Sequence, residues 1–116
     1  MATTLYGIAN CDTVKKARAF LAAQGIDAVF HDYRKAGVPA ADLARWASVF
    51  GWERLLNRQG TTWRKLPPPQ QAAVVDAASA LALMQAQPSV IRRPVLEHGG
   101  RLLLGFDPGE WATLAR

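Results

Sequence analysis

The chain has 116 residues, half of them hydrophobic, which is enough for one domain with a core and too few for two ordinary domains. Its net charge of +5 suits nucleic acid, an acidic protein surface or a small anion without choosing among them. A single cysteine excludes an internal disulfide and fits a reducing compartment. Because no apolar run reaches membrane-spanning length and the N-terminus lacks signal-peptide features, we expect a soluble, cytoplasmic protein.

The first third of the chain has the pattern of a strand, a helix and a second strand. The predicted elements are a strand over 3–8, a helix over 13–24 capped by Asp12 or Thr13, and a strand over 28–33. Gly25 is placed to end the helix in a left-handed conformation. Such a unit normally gives two parallel strands with a right-handed crossover.

The middle of the chain is predicted to begin with another helix. Pro39 suits its first turn, and Gly51 is placed to end it. One face of this helix carries Leu43, Trp46, Ala47 and Phe50. The segment after it contains Arg58, Arg64 and Lys65 beside Trp63, and we interpret it as a loop that is either a binding loop or an ordinary basic surface.

Three consecutive prolines at 67–69 are incompatible with a helix interior. The residues that follow, 70–87, are alanine-rich and predict a helix that ends before Pro88. Its expected apolar stripe consists of Val74, Ala78, Leu81 and Ala82.

In the last part of the chain, the spacing of hydrophobic residues changes to that of a strand. Residues 93–106 predict two short strands joined by Gly99 and Gly100, which tolerate the positive φ angles of a tight hairpin turn. Asp107 and Pro108 then open a final short helix that carries Trp111 and Leu114. The element order predicts an α/β fold whose sheet mixes parallel and antiparallel strands.

Cys11 stands just before the first predicted helix, where free backbone N–H groups and the helix dipole stabilise a thiolate. Lys15 and Lys16 lie in the next turn and add positive charge. The alternative is that Cys11 is a small buried residue, as most lone cysteines are. The polar neighbours Asn10 and Asp12 favour the nucleophile, since a core residue more often lies within an apolar run.

Arg92 and Arg93 precede Pro94 at the entrance to the hairpin. If this turn faces the Cys11 loop, Arg93 stabilises the thiolate and holds an oxyanion or a glutathione carboxylate. The alternative is a pair of solvated surface arginines. His31 and His98 are far apart and lack metal-ligand spacing, which favours structural or surface roles.

Three segments together resemble one known family. They are YGIANCDTVKKARAFL (6–21), LLNRQGTTWRKL (55–66) and IRRPVLEHGGRLLLGF (91–106). They are similar to the ArsC-like group, which includes glutaredoxin-linked arsenate reductases, the Spx regulators and the small YffB-type proteins. The segment NCDTVKKA (10–17) most resembles the YffB-type branch.

The resemblance implies a thioredoxin-like fold over residues 1–116, with a helical insertion at about 35–88. It implies that Cys11 is the nucleophile, that Arg93 is the arginine beside it, and that Pro94 is a cis-proline. Anion binding is expected from Arg58 and Arg92, while Asn10 and Thr13 shape the loop.

The chain also departs from the family pattern. Arsenate reductases of this family hold the oxyanion with three arginines, but 102–106 contain no arginine and Asn57 stands where another is expected, with Arg58 one step along. These departures speak against true arsenate reduction. The Cys-x-x-Cys pair of the regulators is absent, because the position three after Cys11 is Val14.

We therefore expect a thiol-dependent reductase of unknown substrate, with no bound cofactor and with glutathione as co-substrate. Its partners would be glutathione or glutaredoxin and a small anionic or thiol substrate, and the protein would be a monomer. One alternative is an arsenate reductase with a modified anion site. Another is a non-catalytic regulator that binds a protein through the helical insertion. Nucleic-acid binding is disfavoured, because the charge is modest and no recognition motif is visible.

Overall fold

The computed structural model describes residues 2–115. They divide into two units. The first unit runs up to Tyr33 and resumes at Arg93, and the second unit is Arg34–Arg92. Within the described part of the chain, we find no helix with the length and apolar character needed to cross a membrane.

The strands and helices follow one another in the order that the sequence pattern predicts at both ends of the chain. Their bounds are β1 Thr3–Gly7, α1 Asp12–Ala23, β2 Val29–Asp32, α2 Tyr33–Ala36, α3 Ala40–Phe50, α4 Trp52–Leu55, α5 Thr61–Arg64, α6 Pro68–Ala72, α7 Ala77–Ala86, β3 Val95–His98, β4 Arg101–Leu104 and α8 Pro108–Trp111. Single 3₁₀ turns cover Pro88–Val90 and Ala112–Ala115.

The first unit contains a four-stranded sheet in the order β2-β1-β3-β4. Strand β1 is parallel to β2 and antiparallel to β3, and β3 is antiparallel to β4. The prediction of a mixed α/β sheet is confirmed. The central position of β1 matters for the site, because the chain leaves this strand directly into the Cys11 loop.

The core of the first unit lies between the sheet and the helices α1 and α8. Its buried members are Leu5, Val14, Ala17, Leu21, Leu96, Leu103, Trp111 and Leu114. Gly7 allows α1 to approach β1 closely, since a Cβ atom on Gly7 would lie 2.8 Å from Cγ2 of Val14. This contact fixes the start of α1 against the end of β1.

The cap of α1 differs from the prediction. The helix begins at Asp12, and its N-cap is Cys11, with extended backbone angles of φ −134° and ψ 125°. The prediction of Asp12 or Thr13 as the cap is wrong, because the carbonyl of Cys11 already accepts the first helical hydrogen bond, from the N–H of Lys15 at 2.9 Å. Gly25, which was predicted to end this helix in a left-handed conformation, has a φ of 72°.

The second unit begins with α3, whose buried residues Leu43 and Trp46 belong to the predicted face. Gly51 follows it with a φ of 84°. The interpretation of this segment as a loop is wrong for Trp63 and Arg64, which lie in the short helix α5, whereas Arg58 and Lys65 lie in turns outside it.

The predicted single helix over 70–87 is two helices. Pro68 and Pro69 lie in the first turn of α6, where a missing N–H costs nothing. Helix α6 ends at Ala72, and α7 begins after Asp76. The Asp76 side chain accepts a hydrogen bond from the Ser79 N–H at 2.9 Å in a capping box. The predicted stripe is also wrong, because α7 buries Ala80 and Met84, whereas Ala78 and Ala82 are exposed.

The hairpin and the start of the final helix match their predictions, but α8 ends at Trp111 and Leu114 lies in the 3₁₀ turn after it. Gly99 and Gly100 have φ angles of 50° and 87°, both in the left-handed region. Asp107 caps α8 by accepting a hydrogen bond from the Gly109 N–H at 3.0 Å.

The close approach of Gly7 and Val14 generates a stability prediction. We expect Gly7→Ala to lower the free energy of unfolding by about 1–3 kcal/mol, because the stiff, fully buried Val14 must move to admit the new methyl group. Urea unfolding followed by tryptophan fluorescence measures the change.

The matched control is Gly109→Ala. At this exposed helical position the added Cβ lies 3.4 Å from Oδ1 of Asp107, an ordinary contact. We expect a change within about 0.5 kcal/mol there. Equal effects of the two substitutions would contradict the packing argument.

Candidate active site

Cys11 lies at the N-terminus of α1, in the loop that leaves the central strand β1. It is the one cysteine of the sequence and is partly buried, with its side chain packed against the core of the first unit. As the N-cap residue it precedes the first amides of the helix, and two of these, from Thr13 and Val14, interact with its sulfur. The Cys11 side chain makes no capping hydrogen bond to the helix.

The pKa of the Cys11 thiol lies below its ordinary value. Partial burial is the largest single influence and raises the pKa. The Val14 N–H, the Arg93 side chain through both a hydrogen bond and its charge, and the Thr13 N–H all lower it, and together they outweigh burial. The surroundings of Cys11 therefore favour a thiolate.

Arg93 and Pro94 stand at the entrance to β3, the strand that pairs with β1 on the side opposite β2. The peptide between them is cis. Pro94 is buried, and its carbonyl accepts a hydrogen bond from the Gly105 N–H at 2.8 Å. Arg93 is partly buried, and its guanidinium acts on the sulfur of Cys11. The first unit thus brings Cys11, Arg93 and Pro94 to one end of the sheet.

The other loop candidates are exposed. Asn10 lies in the turn before Cys11, and Thr13 lies in the first turn of α1, where its backbone N–H rather than its hydroxyl acts on the sulfur. Lys15 and Lys16 are also exposed. The expectation that these lysines supply the positive charge is wrong, because the cation that lowers the pKa of Cys11 is Arg93.

Arg58 and Arg92 belong to the second unit, so their predicted part in anion binding stays a prediction. The Arg58 guanidinium lies 5.8 Å from the ring centre of Trp52 and 5.7 Å from that of Trp63. Arg92 donates a hydrogen bond from Nε to the carbonyl of Arg54 at 2.8 Å. Both arginine side chains are exposed.

The two histidines do not form a metal site. His31 lies on β2 with its ring 5.0 Å from that of Tyr6, and His98 lies on β3, where Nδ1 is 2.7 Å from Oγ1 of Thr3. Among residues 2–115 no group of three or more His, Cys, Asp or Glu side chains is arranged to hold a metal ion.

Sequence reasoning missed Tyr33. Its side chain is fully buried, and the charge of Arg93 acts on its hydroxyl. The only signal in the sequence was a tyrosine at the end of a predicted strand, and such a residue is usually explained by core packing.

Similarity to known proteins identifies the family of the chain. The model of the ArsC family matches residues 6–114. The chain belongs to the ArsC family. The match spans β1, the Cys11 loop, the second unit and the hairpin, so the family resemblance seen in three segments holds along nearly the whole chain.

Individual proteins resemble this chain closely. An uncharacterised protein of Haemophilus influenzae is 41% identical over 108 residues, which cover 93% of this chain and 94% of that one. The solved structure of a YffB protein is 49% identical with a TM-score of 0.93, covering 99% of this chain and 100% of that one. An arsenate reductase (ArsC) related protein from Brucella melitensis is 54% identical with a TM-score of 0.75, covering 97% and 93%. The expected thioredoxin-like ArsC fold is confirmed.

The arrangement around Cys11 predicts the effect of removing the Arg93 charge. We expect Arg93→Gln to raise the pKa of Cys11, because the substitution removes a positive charge that stabilises the thiolate. Burial, which raises the pKa, is then offset only by the helix amides. The rate of Cys11 alkylation by iodoacetamide, measured against pH, gives this pKa.

Lys15→Gln is the matched control, since it removes a nearby exposed cation that does not act on the sulfur. We expect its alkylation profile to coincide with that of the native protein. A profile that moves with Lys15→Gln and not with Arg93→Gln would show that the wrong cation has been assigned.

Proposed function

We propose that this protein is a thiol reductase in which Cys11 is the nucleophile and glutathione or a glutaredoxin is the reductant. The observation that carries the proposal is a partly exposed cysteine placed among the first amides of α1 and the Arg93 guanidinium, a setting that favours the thiolate. Membership in the ArsC family supports the same chemistry. So does the likeness to the Brucella melitensis protein, which is itself related to arsenate reductase.

The first step is a thiol–disulfide exchange. The Cys11 thiolate attacks one sulfur of a disulfide substrate, a mixed disulfide forms on Cys11, and the other sulfur leaves as a thiolate. The sequence has no second cysteine, so the mixed disulfide requires an external thiol. A glutathione thiolate attacks the substrate sulfur of this adduct and releases Cys11 as a thiolate. A second glutathione then reduces the resulting mixed disulfide and leaves oxidised glutathione.

Each residue of the site has a distinct role in this reaction. The Thr13 and Val14 amides and Arg93 stabilise the Cys11 thiolate before attack and again when it leaves the adduct. The Arg93 guanidinium has donors that suit the carboxylate of glutathione or an anionic substrate group. Pro94 holds the strand entrance beside Arg93, while Asn10 and Thr13 shape the loop. We include in this proposal that Arg58 or Arg92 helps to bind an anionic group of the substrate.

Two other functions remain as alternatives to be tested. An ArsC-family arsenate reductase with a modified anion site would reduce arsenate through the same cysteine, although Asn57 occupies a position where the family pattern has an arginine. A protein-binding regulator would need no chemistry at Cys11. The fully buried Val14 stands where the regulators have their second cysteine.

The proposal is tested by coupling the protein to glutathione, glutaredoxin, glutathione reductase and NADPH. We expect NADPH consumption with a small disulfide such as bis(2-hydroxyethyl) disulfide. With Cys11→Ser we expect the rate to fall to that without the protein, because the serine hydroxyl is not ionised near neutral pH. A parallel reaction with arsenate separates the first alternative from the proposal.

The control variant is Arg101→Gln, a change at an exposed arginine that bonds Thr113 Oγ1 at 2.9 Å beyond the hairpin turn. It alters the net charge without touching the Cys11 loop and should retain the native rate. Full activity in Cys11→Ser would refute the proposal. A protein partner that is retained by Cys11→Ser, with no turnover in any arm, would favour the regulator.

A further inference from the structure

Tyr33 is a buried polar residue that the proposed mechanism does not use. It follows β2 directly, and none of its surface is exposed. The hydroxyl of a buried tyrosine usually interacts with a polar neighbour, because the side chain joins a polar hydroxyl to an apolar ring.

The register of the sheet shows at which end of it Tyr33 lies. In the parallel pair of β1 and β2, the last residues, Gly7 and Asp32, stand opposite each other. Tyr33 follows Asp32 and begins α2. Tyr33 therefore lies near the end of β1, where the chain enters the Cys11 loop.

The other neighbour of β1 brings Arg93 to the same end of the sheet. In the antiparallel pair of β1 and β3, Tyr6 stands opposite Val95, and Arg93 precedes Val95 by two residues. Tyr33 follows β2 and Arg93 precedes β3, so both lie at the end of the sheet where β1 ends, on opposite sides of β1.

The electrostatics of the two side chains agree with this placement. Burial raises the pKa of Tyr33, so its hydroxyl stays neutral across the physiological range, while the charge of Arg93 acts in the opposite direction and Tyr6 acts with burial. The same guanidinium lowers the pKa of Cys11. Arg93 is therefore close enough to act on both the phenol and the thiol.

We propose that Tyr33 is a positioning residue for Arg93: its neutral hydroxyl stabilises the partly buried guanidinium and keeps that charge near the sulfur of Cys11. This inference rests on the proposed function, because it assigns Tyr33 a part in maintaining the reactive thiolate. Tyr33 touches no substrate in this scheme and acts only through Arg93.

The experiment measures Cys11 alkylation by iodoacetamide against pH in four proteins: native, Tyr33→Phe, Arg93→Gln and the double variant. We expect Tyr33→Phe to raise the pKa of Cys11, in the same direction as Arg93→Gln. We expect the double variant to match Arg93→Gln alone, because the hydroxyl has no effect once the guanidinium is gone. A structural role alone would not produce this non-additivity.

Tyr6→Phe is the comparison variant. It also removes the hydroxyl of a buried tyrosine, but that hydroxyl donates to Oε1 of Glu97 at 2.9 Å. Because Tyr6 acts on Tyr33 and is not among the groups that act on the sulfur of Cys11, we expect from it a smaller shift than from Tyr33→Phe. Where Tyr33→Phe does not fold, Tyr33→Met removes the same hydroxyl while keeping an apolar side chain.

A Tyr33 variant that folds and titrates like the native protein would overturn the inference, as would effects of Tyr33→Phe and Arg93→Gln that simply add. Both outcomes leave the proposed function intact, provided that Arg93→Gln shifts the profile. A native Cys11 that titrates like free cysteine and ignores Arg93→Gln would instead count against the proposed function.

Discussion

The candidate chemistry of this protein depends on the interaction of one sulfur atom with two kinds of positive partner, the first amides of α1 and the Arg93 guanidinium. Three segments of the chain must meet to form it: the end of β1, the start of α1 and the entrance to β3. The pairing of β1 with β3 brings Arg93 to the loop, and the missing side chain of Gly7 lets α1 begin close to the strand. The site is therefore a consequence of sheet register and of one close packing contact.

Burial and charge act against each other at Cys11. The side chain packs against the core, as an inert cysteine would, and this desolvation alone disfavours the thiolate. The amides and Arg93 reverse that preference while the sulfur stays partly exposed. Cys11 is therefore packed like a core residue and has the electrostatic surroundings of a nucleophile.

The parts of the fold that were predicted well from the sequence are those with strong local signals. The hairpin turn requires positive φ angles that Gly99 and Gly100 supply, and α1 has a clear apolar face and a glycine at its end. The prediction of a single helix over 70–87 is wrong because an alanine-rich segment presents apolar residues on every side. Periodicity then selects no face, and the capping box at Asp76 that divides the segment depends on side-chain geometry.

The site was predictable in its main residue and less so in its surroundings. A cysteine before a helix pointed to Cys11, and the family resemblance pointed to Arg93. Counting nearby charges along the chain favoured Lys15 and Lys16, whereas the cation that acts on the sulfur arrives through sheet pairing from more than eighty residues away. Tyr33 was missed for the same reason, since the charge of Arg93 that acts on it comes from sixty residues further along the chain.

The proposed mechanism requires the folded protein to hold Cys11 as a thiolate, and the ultraviolet absorbance of that thiolate, followed against pH, measures whether it does. The same chain unfolded in urea supplies the reference, where the thiol should titrate near the ordinary value of about 8.5. We predict that the folded protein titrates at lower pH than the unfolded chain. A folded-state pKa equal to or above the unfolded one would contradict the mechanism.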